Sequence, residues 1–308
     1  LDRRQKMEEL RLLLRYDIDR VIHHGVVGQS MHGLALANSY HPHMWGVQCG
    51  DMLTPLEVFS SDELLSDALK RRKNLGQCET QSDLRKALRI YSGAQSVSNF
   101  RPSAARALYD RYLPIGGGSV YDPSAGFGGR LVGALCCHKV KRYAGVDPST
   151  KTMAGLQEMQ WELPDLMQWL GYEPPVVELH KRGSEDYKPE PESYEMIFTS
   201  PPYGGHEKYS DEESQSCRRF STNELWLSGF MQATLENCHR GLKRKGVLAL
   251  NIADSSTYPT LTKDVLALAT KCGFKLKETL KLALSATPGT RKGSAFKYEP
   301  IYVFSRSR

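Results

Sequence analysis

No CxxC pair and no regular cysteine spacing occur in this chain: its seven cysteines are scattered, with Cys136 and Cys137 adjacent. An odd count without a pattern argues against a disulfide framework and for reduced thiols. No apolar run approaches the roughly 18 residues of a membrane span, so no membrane association is expected. The start, Leu1-Asp2-Arg3-Arg4-Gln5-Lys6, is charged and lacks the apolar core of a signal peptide. A cytoplasmic protein is the resulting expectation. Internal repeats and low-complexity segments are missing as well, which leaves an ordinary globular chain. The histidines His23, His24, His32, His41 and His43, with Cys49, match no familiar zinc-ligand spacing, so no metal is expected. What is present is unexceptional in bulk: 308 residues, 40% hydrophobic and 25% charged. That is enough for one substantial core with a smaller module attached. A net charge of +6 suits nucleic-acid phosphates without singling them out.

The chain divides near residue 95. Residues 1–95 read as a mainly helical module: apolar residues recur at helical spacing from Met7 to Ile22. Thr54-Pro55-Leu56-Glu57 and Ser61-Asp62-Glu63 have the form of helix starts, and Ser82 to Tyr91 reads as a further helix. A loop rich in Gly and His follows the first helix. Residues 96–308 alternate strand and helix. Strands are expected near Ser119–Tyr121, Tyr143–Val146, Val176–Leu179, Met196–Thr199 and Val247–Ile252. Helices are expected from Arg101 to Leu113 and at Gly129–Cys137, Lys151–Leu163, Asn223–Arg240 and Leu261–Lys271. This alternation predicts an α/β fold with a doubly wound, mostly parallel sheet. Lys275–Leu284 and Tyr298–Phe304 read as a closing antiparallel hairpin.

Two turns carry chemistry. The first, Asp122-Pro123-Ser124-Ala125-Gly126-Phe127-Gly128-Gly129-Arg130, lies where a strand turns into a helix. Glycine is needed there if the backbone must approach a ligand closely. About twenty residues later a second strand ends at Gly145-Val146-Asp147-Pro148, and an acid so placed can accept bonds from ribose hydroxyls. Asp147 can equally cap the helix that begins after Pro148, and the two roles are compatible. Glu185 and Asp186, after the third strand, can touch an adenine amino group or simply face solvent. Asp122 stands before the glycines, where a carboxylate would repel a pyrophosphate but can help hold an ammonium group. That charge argument favours S-adenosylmethionine over a dinucleotide.

The second turn is Thr199-Ser200-Pro201-Pro202-Tyr203, at the end of an apolar strand. Consecutive prolines supply no backbone donors and fix φ, so the carbonyls of Ser200 and Pro201 stay free to accept. An exocyclic amino nitrogen is a poor nucleophile because its lone pair is delocalised into the ring. A Ser200 oxygen and the Pro201 carbonyl, accepting its two hydrogens, would free that lone pair by alignment and electrostatics. Tyr203 would stack on a base taken out of its helix. The loop Gly204–Ser221 mixes Gly, aromatic and basic residues. It reads either as a segment closing over a nucleotide or as a surface connection. Arg291-Lys292-Gly293-Ser294 with Lys297 can be a phosphate-binding loop or a solvated hairpin tip.

The ordered set of the glycine turn, GVDP and TSPPY resembles the class I methyltransferases, in particular the amino-methylating DNA methyltransferases that form N4-methylcytosine or N6-methyladenine. The resemblance runs from about Phe100 to the C-terminus. It includes Tyr209-Ser210-Asp211-Glu212, Gln215-Ser216, Trp226-Leu227, Leu248 to Asp254 and Glu299 to Phe304. It implies a Rossmann-like, seven-stranded sheet with S-adenosyl-L-methionine as cofactor. It assigns Phe100, Asp122, Pro123, Ala125, Gly126, Gly128, Gly129, Asp147, Pro148, Glu185 and Asp186 to that cofactor. Ser200, Pro201, Pro202 and Tyr203 become catalytic, and Tyr209, Gln215, Ser216, Arg218, Arg219 and Trp226 contact substrate. Ser in the first place of the Ser-Pro-Pro-Tyr motif is more typical of cytosine-N4 enzymes, Asp or Asn of adenine-N6 enzymes. DNA is therefore the expected partner, ahead of RNA, and the expected origin is bacterial or phage. Such enzymes commonly carry a separate target-recognition domain. Here the halves are nearly contiguous, so recognition would fall to residues 1–95, to the loop 204–221, or to both.

Overall fold

The computed structural model describes the chain except residues 49–51, 75, 77–79, 91–93, 205–208, 285–296 and 308. The segments Gly205-His206-Glu207-Lys208 and Arg291-Lys292-Gly293-Ser294, together with Cys49 and Tyr91, therefore lie outside the described residues.

The first helix, α1 (Arg3–Arg15), opens with a capping box in which Asp2 accepts from the Gln5 backbone and the Gln5 side chain returns the bond. It stops sooner than the apolar spacing predicts. Tyr16 turns extended, and the Asp17 side chain accepts from the Asp19 backbone, a local bond that competes with helix continuation. A short 3-10 turn, Ile18–Arg20, leads into two brief strands, β1 (Ile22–His23) and β2 (Val26–Val27). Helix α2 (Leu34–Ser39) follows. Next come α3 (Pro55–Phe59), α4 (Asp62–Lys73) and α5 (Gln81–Ile90). Thr54 and Glu57 form the second capping box, with Pro55 in the first turn.

The remainder alternates as expected: α6 (Pro102–Tyr112), β3 (Gly118–Asp122), α7 (Gly129–Leu135), β4 (Val140–Val146), α8 (Thr150–Trp169), β5 (Val176–His180) and β6 (Tyr194–Thr199). After the short α9 (Ser216–Arg219), the helix expected from Asn223 is built of three parts. These are α10 (Asn223–Leu225), a π-helical segment Trp226–Met231, and α11 (Gln232–Gly241). Strand β7 (Leu242–Asn251), helix α12 (Leu261–Lys271) and strands β8 (Phe274–Ala283) and β9 (Tyr298–Arg306) complete the chain.

Among the described residues, one sheet contains nine strands in the order β1-β2-β8-β9-β7-β6-β3-β4-β5. Seven strands were expected, and β3 to β9 supply them. The other two come from the N-terminal region, which is thus not wholly helical: β2 pairs parallel to β8 through Val26↔Lys281 and Val27↔Leu282. Strands β3 to β7 are parallel, while β9 runs antiparallel between β7 and β8. Successive strands proceed outward from β3 to β4 and β5, then resume at β6 on the other side of β3. That reversal opens a crevice at the carboxyl ends of β3 and β6, where doubly wound sheets place their ligands.

Residues before 95 do not form one unit. Leu10, Leu13, Val27, Leu36 and Tyr40 share a cluster with Leu108, Leu131 and Phe198 of the sheet layers. Val58, Leu88 and Ala94 form a separate small cluster beneath α3, α4 and α5. No helix among the described residues is long and apolar enough to cross a membrane.

Candidate active site

A cavity of about 500 Å³ lies at this crevice. Each wall is the loop after one parallel strand: Pro123–Phe127 after β3, Asp147–Ser149 after β4, Gly183–Glu185 after β5, Ser200–Tyr203 after β6, and Asn251 at the end of β7. Gln95–Arg101, from the segment before α6, forms a further side, and Tyr209 with Ser214–Ser216 another.

The glycine turn is held from behind. Gly128 has φ +75°, and a Cβ there would lie 2.6 Å from Met159 of α8. A Cβ at Gly129 would lie 1.9 Å from the Phe100 carbonyl oxygen. Only glycine fits either position. Neither lines the cavity: both shape the turn, and of the glycines assigned to the cofactor only Gly126 faces it. The Asn99 side chain fastens the turn, accepting from the Gly129 backbone at 3.1 Å and donating to the Phe127 carbonyl at 2.8 Å and to Asn38 of α2 at 2.9 Å.

Asp122 is fully buried and does not reach the cavity. Its Oδ2 accepts from Arg130 Nε at 2.8 Å and from the Tyr143 hydroxyl at 2.7 Å, and its Oδ1 from the Ser124 backbone at 3.2 Å. Arg130 also donates to the Ser124 carbonyl. Burial opposes the guanidinium charge, but the Asp122 carboxylate more than offsets it, and the Arg130 pKa stands above its ordinary value. The pair corrects the charge argument drawn from the sequence: Asp122 is neutralised by Arg130 and presents no bare negative charge to a ligand. Its part is to set the turn, while Arg130 reaches the cavity wall.

Asp147 faces the cavity and braces the turn that leads into α8, whose N-cap is Ser149 rather than Asp147. Its Oδ1 accepts from the Ser149 backbone at 2.9 Å and its Oδ2 from the Gly126 backbone at 3.1 Å. Burial pushes its carboxyl up to about 6, against the downward pull of those two N–H groups. Each oxygen retains a lone pair for another donor. Glu185 is 9% exposed, and its Oε2 has no hydrogen-bond partner. Its Oε1 accepts from Arg219 at 2.5 Å, and Arg219 also reaches Asp186 at 2.5 Å. Burial raises the Glu185 pKa, with its backbone N–H and Arg219 opposing. Asp186 stands outside the cavity, its side chain 54% exposed.

Ser200, Pro201, Pro202 and Tyr203 all line the cavity. So do Phe100, Pro123, Ala125, Pro148, Tyr209, Gln215 and Ser216. The loop following the site is tied down: Glu212 accepts from the Thr150 backbone at 2.8 Å and hydroxyl at 2.7 Å, and Ser214 donates to the Pro148 carbonyl at 3.3 Å. Its described part is thus a wall, anchored to the start of α8. Gln215 is 5% exposed, and its Nε2 has no partner. Arg218 and Arg219 do not line the cavity; Arg218 lies 3.5 Å from Asp211 and Arg219 holds the two acids. Trp226 is fully buried against Phe230 and Tyr258, so it cannot touch a substrate directly. The π-helical segment instead turns Phe230 into the cavity wall, with Trp226 behind it.

Several lining residues escaped the sequence reading: Asn99, Arg101, Phe127, Arg130, Thr152 and Asn251 among them. Arg130 was within reach of it, standing at the end of the glycine turn. His41 and His43 flank Phe127 with ring centroids 5.6 and 5.7 Å away. His43 meets the Thr152 hydroxyl at 3.3 Å, while burial drives the His41 pKa down to about 3. Among the described residues, no three His, Cys, Asp or Glu side chains group as metal ligands.

Residues 194–308 match the family model described as a DNA methylase, the N6/N4 type. The matched segment holds Ser200–Tyr203 and strands β6 to β9; the glycine turn and Asp147 precede it. No curated protein matches the chain. Among solved structures, a TehB-like methyltransferase from Corynebacterium glutamicum is similar at 14% identity and a TM-score of 0.40, over 68% of this chain and 90% of that one. A methyltransferase from Methanosarcina mazei is similar at 11% identity and a TM-score of 0.43, over 65% and 97% of the two chains. TrmN from Thermus thermophilus gives 17% identity and a TM-score of 0.42, over 67% of this chain and 48% of its own. Similarity so slight carries no weight; the sheet order and the match over residues 194–308 do. Residues 194–308 thus carry the DNA amino-methylase match and supply strands β6 to β9 of the doubly wound sheet, and together they support S-adenosylmethionine as the methyl donor.

Proposed function

We propose that the protein methylates the exocyclic amino group of a DNA base turned out of its helix, cytosine N4 in preference to adenine N6. The observation that carries this reading is the meeting of Ser200–Tyr203, Asp147 and Glu185 in one cavity of about 500 Å³. The residues present fit the methyl donor: Glu185 Oε2, after β5, is a buried acceptor without a partner, and Asp147, after the neighbouring strand β4, keeps free lone pairs in the same cavity. When bound, S-adenosylmethionine supplies a methyl group on a positively charged sulfur.

In this reading Asp147 accepts the ribose hydroxyls and Glu185 the adenine amino group. Phe100, Pro123, Ala125, Gly126 and Pro148 shape the pocket around them. Asp122, Gly128 and Gly129 are positioning residues that act through the turn, and Asp186 acts through Arg219. In the turn after β6, Ser200 and the Pro201 carbonyl accept the two amino hydrogens and localise the nitrogen lone pair. Pro202 fixes the turn, and Tyr203 stacks on the base, worth about 1–3 kcal/mol by analogy with other stacking platforms. Tyr209, Gln215 and Ser216 hold the far edge of the nucleotide. Arg218 lies beside this wall, where a strand phosphate would pass. Ser200 favours cytosine through the resemblance in its motif.

The test is transfer of labelled methyl from S-adenosylmethionine to duplex DNA, single-stranded DNA and RNA offered in parallel. Label in DNA alone supports the reading. Label in RNA alone, or in neither polymer, overturns it.

A further inference from the structure

Arg130, in the first turn of α7, is a charged side chain held almost wholly inside the protein, 6% exposed, and it lines the cavity. Its Nε donates to Asp122 Oδ2 at 2.8 Å and its Nη2 to the Ser124 carbonyl. Those bonds take one edge of the planar guanidinium, which carries further N–H donors. Nη1 bonds none of the described residues, and it is not sealed in the core. Asp122 meets only the Nε edge, and its oxygens also accept from the Tyr143 hydroxyl at 2.7 Å and the Ser124 backbone at 3.2 Å. Phe100 and Phe198 flank the guanidinium, with ring centroids 5.8 Å away. An unspent charged donor in so apolar a setting is costly unless something in the cavity accepts from it.

The sheet orders the cavity walls. From its edge inward run the loops after β5, β4, β3 and β6, which bring Glu185, Asp147, the turn that Arg130 closes, and Ser200. Neighbouring strands lie about 4.8 Å apart. A ligand with its adenine at Glu185 and its ribose at Asp147 therefore brings its remaining end to the β3 turn, one strand short of Ser200. In S-adenosylmethionine that end is an amino acid, and its carboxylate is the only anion of the ligand. Two carboxylate oxygens match the parallel N–H pair of a guanidinium.

We infer that Arg130 binds the carboxylate at the amino-acid end of S-adenosylmethionine through the Nη1–Nη2 end of its guanidinium. This assignment rests on the reading of Asp147 and Glu185 as the acids that hold the nucleoside, and it is independent of the polymer methylated. Asp122 and the Ser124 carbonyl fix the guanidinium beforehand, so little freedom is lost on binding. Holding both ends of the ligand also fixes the sulfonium between them, which sets the methyl group against the turn of Ser200.

The experiment compares, by calorimetry, S-adenosylmethionine with its decarboxylated analogue, which keeps the nucleoside, sulfonium and ammonium groups and lacks only the carboxylate. The wild type should prefer the carboxylated ligand by about 10- to 150-fold, the worth of a hydrogen bond to a charged group. In Asp122→Asn with Arg130→Met, which removes the buried pair together, that preference should largely vanish. In Arg130→Lys, which keeps the charge and loses the planar fork, it should fall partway. The readout is the ratio of the two affinities, so a substitution that merely loosens the turn weakens both ligands and leaves the ratio in place. A wild type without preference for the carboxylated ligand overturns the inference, as does an unchanged ratio in the variants. If the double variant does not fold, Arg130→Lys decides, and an unchanged ratio there overturns the inference. The nucleoside 5′-methylthioadenosine, which has no amino-acid end, separates the reading beneath. It should bind Arg130→Lys as it binds the wild type and bind Asp147→Asn more weakly; undiminished binding to Asp147→Asn would overturn the nucleoside reading instead.

Discussion

Asp147→Asn should stabilise the ligand-free protein near pH 7.5 while weakening its hold on S-adenosylmethionine. In the folded chain the Asp147 carboxyl titrates at about 6, against an ordinary 3.8. That difference corresponds to about 3 kcal/mol borne by the fold wherever both states are ionised. The folded value is the higher one, so the folded chain retains the extra proton from about pH 6 down to about pH 4. Stability therefore falls as pH rises through that window, and the full cost is present above it. Asparagine removes the charge but keeps a single acceptor for two backbone donors, Ser149 and Gly126. Leaving one donor unsatisfied costs about 1–3 kcal/mol, so the net gain is about 1 kcal/mol. Urea unfolding at pH 7.5 and pH 5 measures it, and the advantage should shrink at pH 5, where the wild-type carboxyl is largely protonated. Calorimetry should show S-adenosylmethionine binding at least tenfold more weakly at pH 7.5, because hydrogen bonds to a charged acceptor contribute about 1.5–3 kcal/mol each. A variant less stable than the wild type at pH 7.5, or one with undiminished affinity, would refute the reasoning.

Further expectations concern the turn and the base platform. Asp122→Ala strands the buried Arg130 charge and should cost about 3–5 kcal/mol of stability, whereas Asp122→Ala with Arg130→Met together should cost less; chemical denaturation of the four forms of the cycle checks this. Gly129→Ala drives a methyl group towards the Phe100 carbonyl and should destabilise by about 1–3 kcal/mol, read as a lower unfolding midpoint. Tyr203→Phe should retain most methyl transfer and Tyr203→Ala little, since stacking needs the ring; equal rates in all three forms would remove Tyr203 from that role.

Most of the architecture could be read from the chain because it is written locally. Each core strand is a short apolar run, and each wall of the cavity begins where such a run meets Gly, Pro or an acid: Gly126 after β3, Asp147 after β4, Pro201 after β6. What escaped depends on partners far away in sequence. Val26 pairs beside Lys281, and no two-residue strand announces a partner 255 residues on. Asn99 joins Asn38 to the glycine turn, bonds that no spacing rule anticipates. Trp226 goes the other way: its family-like segment predicts a substrate contact, whereas the structure uses it to back Phe230. The charge of Asp122 is legible in the chain, but its neutralisation by Arg130, eight residues on, is set by the fold.

The central claim is that an exocyclic amino nitrogen receives the methyl group. Nucleoside mass spectrometry of DNA methylated by the wild-type protein tests it most directly. The account predicts N4-methylcytosine as the main product. N6-methyladenine would keep the chemistry and overturn the preference drawn from Ser200, whereas a methyl group on a ring carbon or ring nitrogen would contradict the account itself.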